Sequence, residues 1–189
     1  MGILSSINVR ELRTVDILAL NTMYHSSSKE SKRLFHPGFL GFETIGPNWL
    51  LAQLALACSS LAILRTLLLR VYPQGVFFAV VSVNEDGEIV GFAFIRVRGH
   101  ISKSAFFGEL GICVRGKYQG KDIGSKLMQR LVDLARNQQI KRIYLTVLKD
   151  NIKAIHLYQK YGFRENKTVP EGEVWHQQRF DLVEMRLEL

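Results

Sequence analysis

Residues 109–136 read ELGICVRGKYQGKDIGSKLMQRLVDLAR. The stretch opens as an extended apolar run, Leu110 to Val114, and closes with apolar residues at Ile123, Leu127, Leu131, Leu134 and Ala135. That spacing predicts a helix over Asp122 to Gln138 with one buried face. Between strand and helix lies a turn holding Gly120, with Gly124 just beyond it. The first N–H groups of a helix have no internal acceptor, and the helix dipole adds partial positive charge there. Glycine removes the Cβ that would keep an anion at a distance, and Lys117 and Lys121 add formal charge. These are the ingredients of a pyrophosphate cradle. An ordinary strand-to-helix turn uses glycine as well, and neither GxGxxG nor GxxxxGK[ST] is present, so both readings stand on this stretch alone. Asp122 reads as an acid in a first helical turn, where it favours the dipole. Ile123 must face the core, which turns Asp122 outward, toward solvent, Lys121 or Lys126.

The elements on either side extend the pattern. Ile7 to Leu12 reads as a short strand and Asp16 to His25 as a helix bearing Ile17, Leu18, Leu20 and Met23. HSSSKESKRLFHPGFLGFETIG (25–46) has loop composition. GVFFAVVSVNEDGEIVGFAFIRV (75–97) reads as a hairpin turning at Asn84-Glu85-Asp86-Gly87. Phe106 to Val114, Arg142 to Leu148, Phe163 to Thr168 and Arg179 to Leu187 read as strands, and Ile152 to Tyr161 as a helix. The expectation is one α/β (α+β) domain over residues 1–189. Its sheet is mixed and mostly antiparallel, of about six or seven strands, flanked by helices.

Bulk properties agree with a folded domain. The chain has 189 residues, 47% hydrophobic and 22% charged, a composition that excludes general disorder. Its net charge of +8 suits anionic partners or a basic solvated surface. Cys58 and Cys113 form no CxxC and lie in apolar contexts, as reduced residues of a cytoplasmic protein would. The N-terminus lacks the basic start and cleavage site of a signal peptide. NWLLAQLALACSSLAILRTLLLRVYP (48–73) is the most apolar segment. Pro47, Gln53, Ser59, Ser60, Arg65 and Arg70 argue against a membrane span, and the segment reads as a long apolar helix, 49–69, buried in the domain. A homodimer contact or a membrane-surface contact through it stays open. The basic residues form no single run, which disfavours nucleic acid. The histidines show no metal-ligand spacing, and no metal is expected.

Two motifs then point the same way. ELGICVRGKYQGKDIGSKLMQRLVDLAR resembles the cofactor-binding motif of the GNAT superfamily of N-acyltransferases: an apolar strand, a loop, then Gln/Arg-x-x-Gly-x-Gly/Ala opening a helix. LTVLKDNIKAIHLYQKYGFRE (145–165) resembles the family's next strand, its Asn-started helix and its Tyr-Gly-Phe ending. Asp122 departs from the pattern, which most often has glycine there. The resemblance implies a GNAT fold and acetyl-CoA, or another acyl-CoA, as co-substrate. Ile112, Cys113 and Val114 would meet the pantetheine arm. The loop Gln119, Gly120, Lys121, Asp122, Ile123, Gly124 and Ser125 would hold the pyrophosphate. Asn151 and Tyr158 would also contact the cofactor.

The implied reaction sets further roles. An amine attacks a thioester in a ternary complex, so something must take its proton and something should protonate the leaving thiolate. Tyr158 is the candidate acid and Glu109 the candidate base, directly or through water; a backbone N–H near Cys113 or Val114 could hold the oxyanion. Asn151 could equally cap its helix, and Tyr158 could be core. Glu30, Phe35, His36, Phe39, Phe42, Glu171 and Trp175 could line a pocket for the amine-bearing acceptor, a small molecule or a protein amine. The positive charge argues mildly against polyamines. Two other classes stay open: a non-catalytic acyl-CoA-sensing module, and a membrane-peripheral protein using the 49–69 helix.

Overall fold

The computed structural model describes residues 7–34, 77–98 and 107–189. The expected apolar helix at 49–69, and Phe35, His36, Phe39 and Phe42, lie outside the described residues, as do the side chains of Glu30 and Trp175. A seven-stranded sheet runs in the order β1-β2-β3-β4-β5-β7-β6. Its strands are β1 (Asn8–Glu11), β2 (Phe77–Val83), β3 (Ile89–Arg98), β4 (Phe107–Val114), β5 (Arg142–Leu148), β6 (Arg164–Trp175) and β7 (Gln178–Glu188). Every neighbouring pair is antiparallel except β4 and β5, which are parallel. The mixed, mostly antiparallel sheet expected from the sequence is therefore the one observed. The helices are α1 (Ile17–His25), α2 (Lys29–Leu34), α3 (Ile123–Asn137) and α4 (Ile152–Lys160).

Parallel strands need a crossover, and α3 supplies it between β4 and β5. Ile123, Leu127, Met128, Leu131, Val132 and Ala135 are buried along its inner face. They pack with Val80, Ala93, Ile95 and Leu110 of the sheet, each large side chain contributing roughly 1.5–3 kcal/mol. The opposite face carries a second cluster, with Leu20, Met23 and Tyr24 of α1 on Val81, Phe92, Phe94 and Cys113. Strand alternation divides β4 between the two clusters: Leu110 and Ile112 face α3, and Cys113 faces α1.

Three expectations need correction. Leu18, one of the apolar residues read on the first helix, is 76% exposed, while Tyr24 takes a buried place. The loop reading of 25–46 misses α2. Ser28 starts that helix by accepting from the Ser31 amide at 3.1 Å, so a serine that looked like loop composition is a cap. Finally, β6 runs well past Thr168, because Pro170 and Gly172 are absorbed by a register shift between Val169 and Glu173 rather than ending the strand.

A 3-10 turn at Thr14–Asp16 precedes α1. Asp16 ties that turn to β1: Arg10 donates to its two oxygens at 2.6 and 2.8 Å, and the Arg13 amide at 2.7 Å. The Arg10 hydrogen bonds hold the Asp16 carboxyl below its ordinary range against the opposing effect of burial. Asp16→Ala should therefore lower the unfolding free energy by about 1–3 kcal/mol in a urea titration at pH 7. A depressed carboxyl stabilises above its ordinary pKa, here 3.8, and ceases to as pH falls through the folded value. The gap between wild type and variant should close in that acid window.

Candidate functional site

The site begins where two strands part. Parallel pairing of β4 with β5 lasts for Phe107–Arg142, Gly108–Ile143 and Glu109–Tyr144, and then stops. Beyond it β4 continues on β3 to Val114, and β5 continues on β7 to Leu148. The phase of the β3–β4 ladder follows from Arg115, whose amide donates to the Val90 carbonyl at 2.9 Å. In an antiparallel ladder alternate residues turn their backbone groups to the same neighbour. Glu109, Gly111 and Cys113 are thus committed to β3, and Leu110, Ile112 and Val114 direct theirs toward the opening. Of the two amides named as oxyanion donors, the Val114 amide faces the opening and the Cys113 amide is spent within the sheet.

A cleft of about 780 Å³ occupies this opening. Ten of the expected contacts line it: Ile112, Cys113, Val114, Gln119, Gly120, Asp122, Gly124, Ser125, Asn151 and Tyr158. Lys121 and Ile123 do not. Ile123 is turned into the core, and the Lys121 ammonium lies 5.5 Å from the Tyr118 ring centroid. Ser31, Tyr118, Lys153, Ala154, His156 and Leu157 line it without having been foreseen. Of the α4 members, Ala154 follows from helical spacing, three after Asn151 and four before Tyr158, a signal available in the sequence. Ser31 had none.

The loop below the cleft is shaped for close approach. Gly120 has φ 72°, and a Cβ there would meet nothing within 4 Å, so conformation rather than crowding explains the glycine. Asp122 is not in the first helical turn but before it, at the N-cap of α3, with φ 59° and ψ 8° and no capping hydrogen bond from its side chain. This corrects its position, though an acid at the N-cap still lies at the favourable end of the helix dipole. The family's glycine suits a left-handed position, and aspartate is among the few L residues that tolerate one. Tyr118 is buried beneath the loop and accepts from Asn84 Nδ2 at 3.2 Å, which fastens the cradle to the β2–β3 turn. At Gly124 a Cβ would lie 3.1 Å from Leu157 Cδ2, so glycine lets α3 and α4 approach. Tyr161 Oη also donates to the Ser125 carbonyl at 2.7 Å.

Helix α4 forms the other bank. Asn151 caps it, accepting from the Ala154 amide at 3.3 Å, and lines the cleft as well. Tyr158 is 6% exposed, with its ring 5.9 Å from that of Phe163. Burial, and then the neighbouring Cys113, push its phenol well above the usual tyrosine range. Burial pushes the Cys113 thiol up to about 12. Glu109 is not brought to the cleft wall. It stands opposite Arg96 on β3, ion-paired to that buried guanidinium, on the same face as Cys113 but about 13 Å down the strand. Glu171 is also away from the cleft, exposed at the β6 irregularity and paired with Arg179 at 2.6 Å. Among the described residues no cluster of His, Cys, Asp or Glu could hold a metal ion. Among them, too, no helix is long and apolar enough to cross a membrane.

A splayed parallel pair with a helix N-terminus at its opening defines the fold of GNAT acetyltransferases. A GNAT-family acetyltransferase from Streptococcus pneumoniae superposes with TM-score 0.74 over 97% of this chain and 100% of its own, at 19% identity. A Salmonella typhimurium acetyltransferase solved with acetyl-CoA gives 0.70 over 97% and 94%, at 21% identity. The chain belongs to the Acetyltransferase (GNAT) family, whose sequence profile matches residues 49–163. It is 33% identical over 100 residues to the spermine/spermidine N(1)-acetyltransferase of Bacillus subtilis (strain 168), covering 48% of this chain and 62% of the relative. It is 37% identical over 79 residues to the L-amino acid N-acetyltransferase AaaT of Escherichia coli (strain K12), covering 41% and 48%. The match thus spans about half to three fifths of these relatives.

Gly124→Val places two methyls between the α3 amides and Leu157. Calorimetry should show CoA affinity falling at least tenfold; equal affinity would remove the cradle. Asp122→Gly should relieve a left-handed residue, raising stability by about 1 kcal/mol in chemical denaturation. Because its carboxylate is exposed, the same change should alter CoA affinity by less than about threefold, or 0.7 kcal/mol.

Proposed function

We propose that this chain, as one domain over residues 1–189, is an acetyl-CoA-dependent N-acetyltransferase that acetylates a primary amine by direct attack in a ternary complex. The observation that carries this reading is the convergence, in one cleft, of the open backbone edge of β4, the N-terminus of α3 and the Tyr158 phenol. The residues present fit acetyl-CoA. The amides opening α3, with Gly120 free of neighbours, suit a pyrophosphate. The outward backbone groups of Ile112 and the Val114 amide suit an extended chain carrying amides, much as a strand would, while the Val114 carbonyl accepts from Gln119 Nε2 at 3.0 Å. Asn151 and Ser125 complete the walls.

Acetyl-CoA supplies an acetyl group activated as a thioester. The chain's own residues do the rest. The Val114 amide is the donor aimed at the opening and available to a developing oxyanion. The Tyr158 phenol, held protonated by burial, gives its proton to the departing sulfur as the C–S bond breaks. Glu109 takes the proton released as the C–N bond forms, and its distance down the strand makes water the carrier. Cys113 stays a thiol at neutral pH and forms no acyl bond. For the acceptor, similar proteins are named for polyamines and amino acids. The net charge of +8 favours the less cationic of these.

A panel of amines with acetyl-CoA, read by free-thiol release, tests the activity; no release with any amine would overturn it. Against the best acceptor, Tyr158→Phe should lower kcat by roughly 10²- to 10⁴-fold with little change in the KM for acetyl-CoA. Near-normal kcat in the folded variant would return Tyr158 to a packing role.

A further inference from the structure

Helix α2 has no part in the chemistry above, yet it is fastened to both banks of the cleft. On the β4 side, Ser31 Oγ lies 3.8 Å from where a Cβ on Gly116 would stand, so α2 rests on the stretch leading from β4 into the cradle. On the α4 side, Arg33 Nη1 donates to Asp150 Oδ2 at 2.9 Å, one residue before the Asn151 cap. The same guanidinium sits 5.1 Å from the ring centroid of Phe180 on β7. A short helix therefore bridges the place where the sheet has opened.

Among the described side chains of α2, Ser31 lines the cleft wall and is 7% exposed. Ser28 Oγ donates to Ser31 Oγ at 3.0 Å. The Ser31 hydroxyl thus has one partner and keeps capacity for a second. Buried hydroxyls are hydrogen-bonded, and the cleft is the space this one lines. A carbonyl oxygen of a molecule held in the cleft would give that hydroxyl a second partner.

The acyl-CoA segment that spans from pyrophosphate to thioester is the pantetheine arm, whose two amides present carbonyl oxygens. We propose that Ser31 donates a hydrogen bond to a pantetheine carbonyl, and that Arg33, through Asp150 and Phe180, is the positioning residue that holds α2 in place for it. The proposal rests on the acyl-CoA reading of the cleft. It gives α2 a part in gripping the co-substrate, separate from any part in acceptor binding.

The test compares two ligands by calorimetry on the full chain: CoA, and adenosine 3′,5′-bisphosphate, which lacks the arm. Ser31→Ala should weaken CoA about fivefold, the loss of one hydrogen bond, and change the bisphosphate less than twofold. Arg33→Gln should show the same selectivity, and should add little in the Ser31→Ala background because both act through one contact. Unchanged CoA affinity in Ser31→Ala overturns the proposal. Equal losses for both ligands also overturn it, since a general disturbance of the cleft would not distinguish them. Failure of the wild type to bind CoA at all would instead remove the function proposed above, and this inference with it.

Discussion

The separation of β4 from β5 after Glu109 and Tyr144 is the constraint on which the site depends. A sheet interior that stops pairing leaves backbone N–H and C=O groups without partners, and such groups are costly unless water or a ligand meets them. Here the cost is confined to one short opening by strong pairing on both outer sides, β3 against β4 and β7 against β5. The two halves of the sheet are each continuous; only their junction is open. Every other part of the site is arranged about that junction. The loop to α3 descends from one lip, and α4 rises from the other.

Two helix starts do different work at the opening. The α3 start offers bare amides and places a left-handed residue ahead of them, so its donors are not taken by a side-chain cap. The α4 start is capped by Asn151. Ser125 joins them, since its carbonyl accepts from Tyr161 and its hydroxyl from Lys160 Nζ at 3.4 Å. The cation count near the loop is high, but Lys117 and Lys121 both lie over the Tyr118 ring, so they support the loop while contributing charge to its surroundings.

Local pattern and non-local register were not equally legible. Strand, turn and α3 could be read from residues 109–136 because the apolar spacing and glycines act within a few residues of each other. The bounds of β5, Arg142 to Leu148, were legible for the same reason. What escaped depended on distant partners. That Val114 rather than Cys113 turns its amide to the opening is decided by the ladder with β3. That Glu109 faces a buried Arg96 is decided by the same register. Helix α2 was obscured because Ser28 is both a loop former and a good cap, and its placement over the cleft needs Asp150, which lies 117 positions away from Arg33. Asp122 looked like a first-turn acid because only its φ reveals that it precedes the helix.

The irregularity in β6 bears on how the molecule behaves in crowded solution. Among the described strands, β1 and β6 end the sheet, and a sheet edge is a template on which another chain can add. Strand β1 offers only four residues. Strand β6 is long, but its register shifts interrupt the edge at two points, Glu165/Lys167 and Val169/Glu173. Pro170 removes a donor from it, and Arg164, Glu165, Lys167, Glu171 and Glu173 line it with charge. Among the described strands, the open seam at the centre of the sheet is thus matched by rims that resist edge-to-edge pairing.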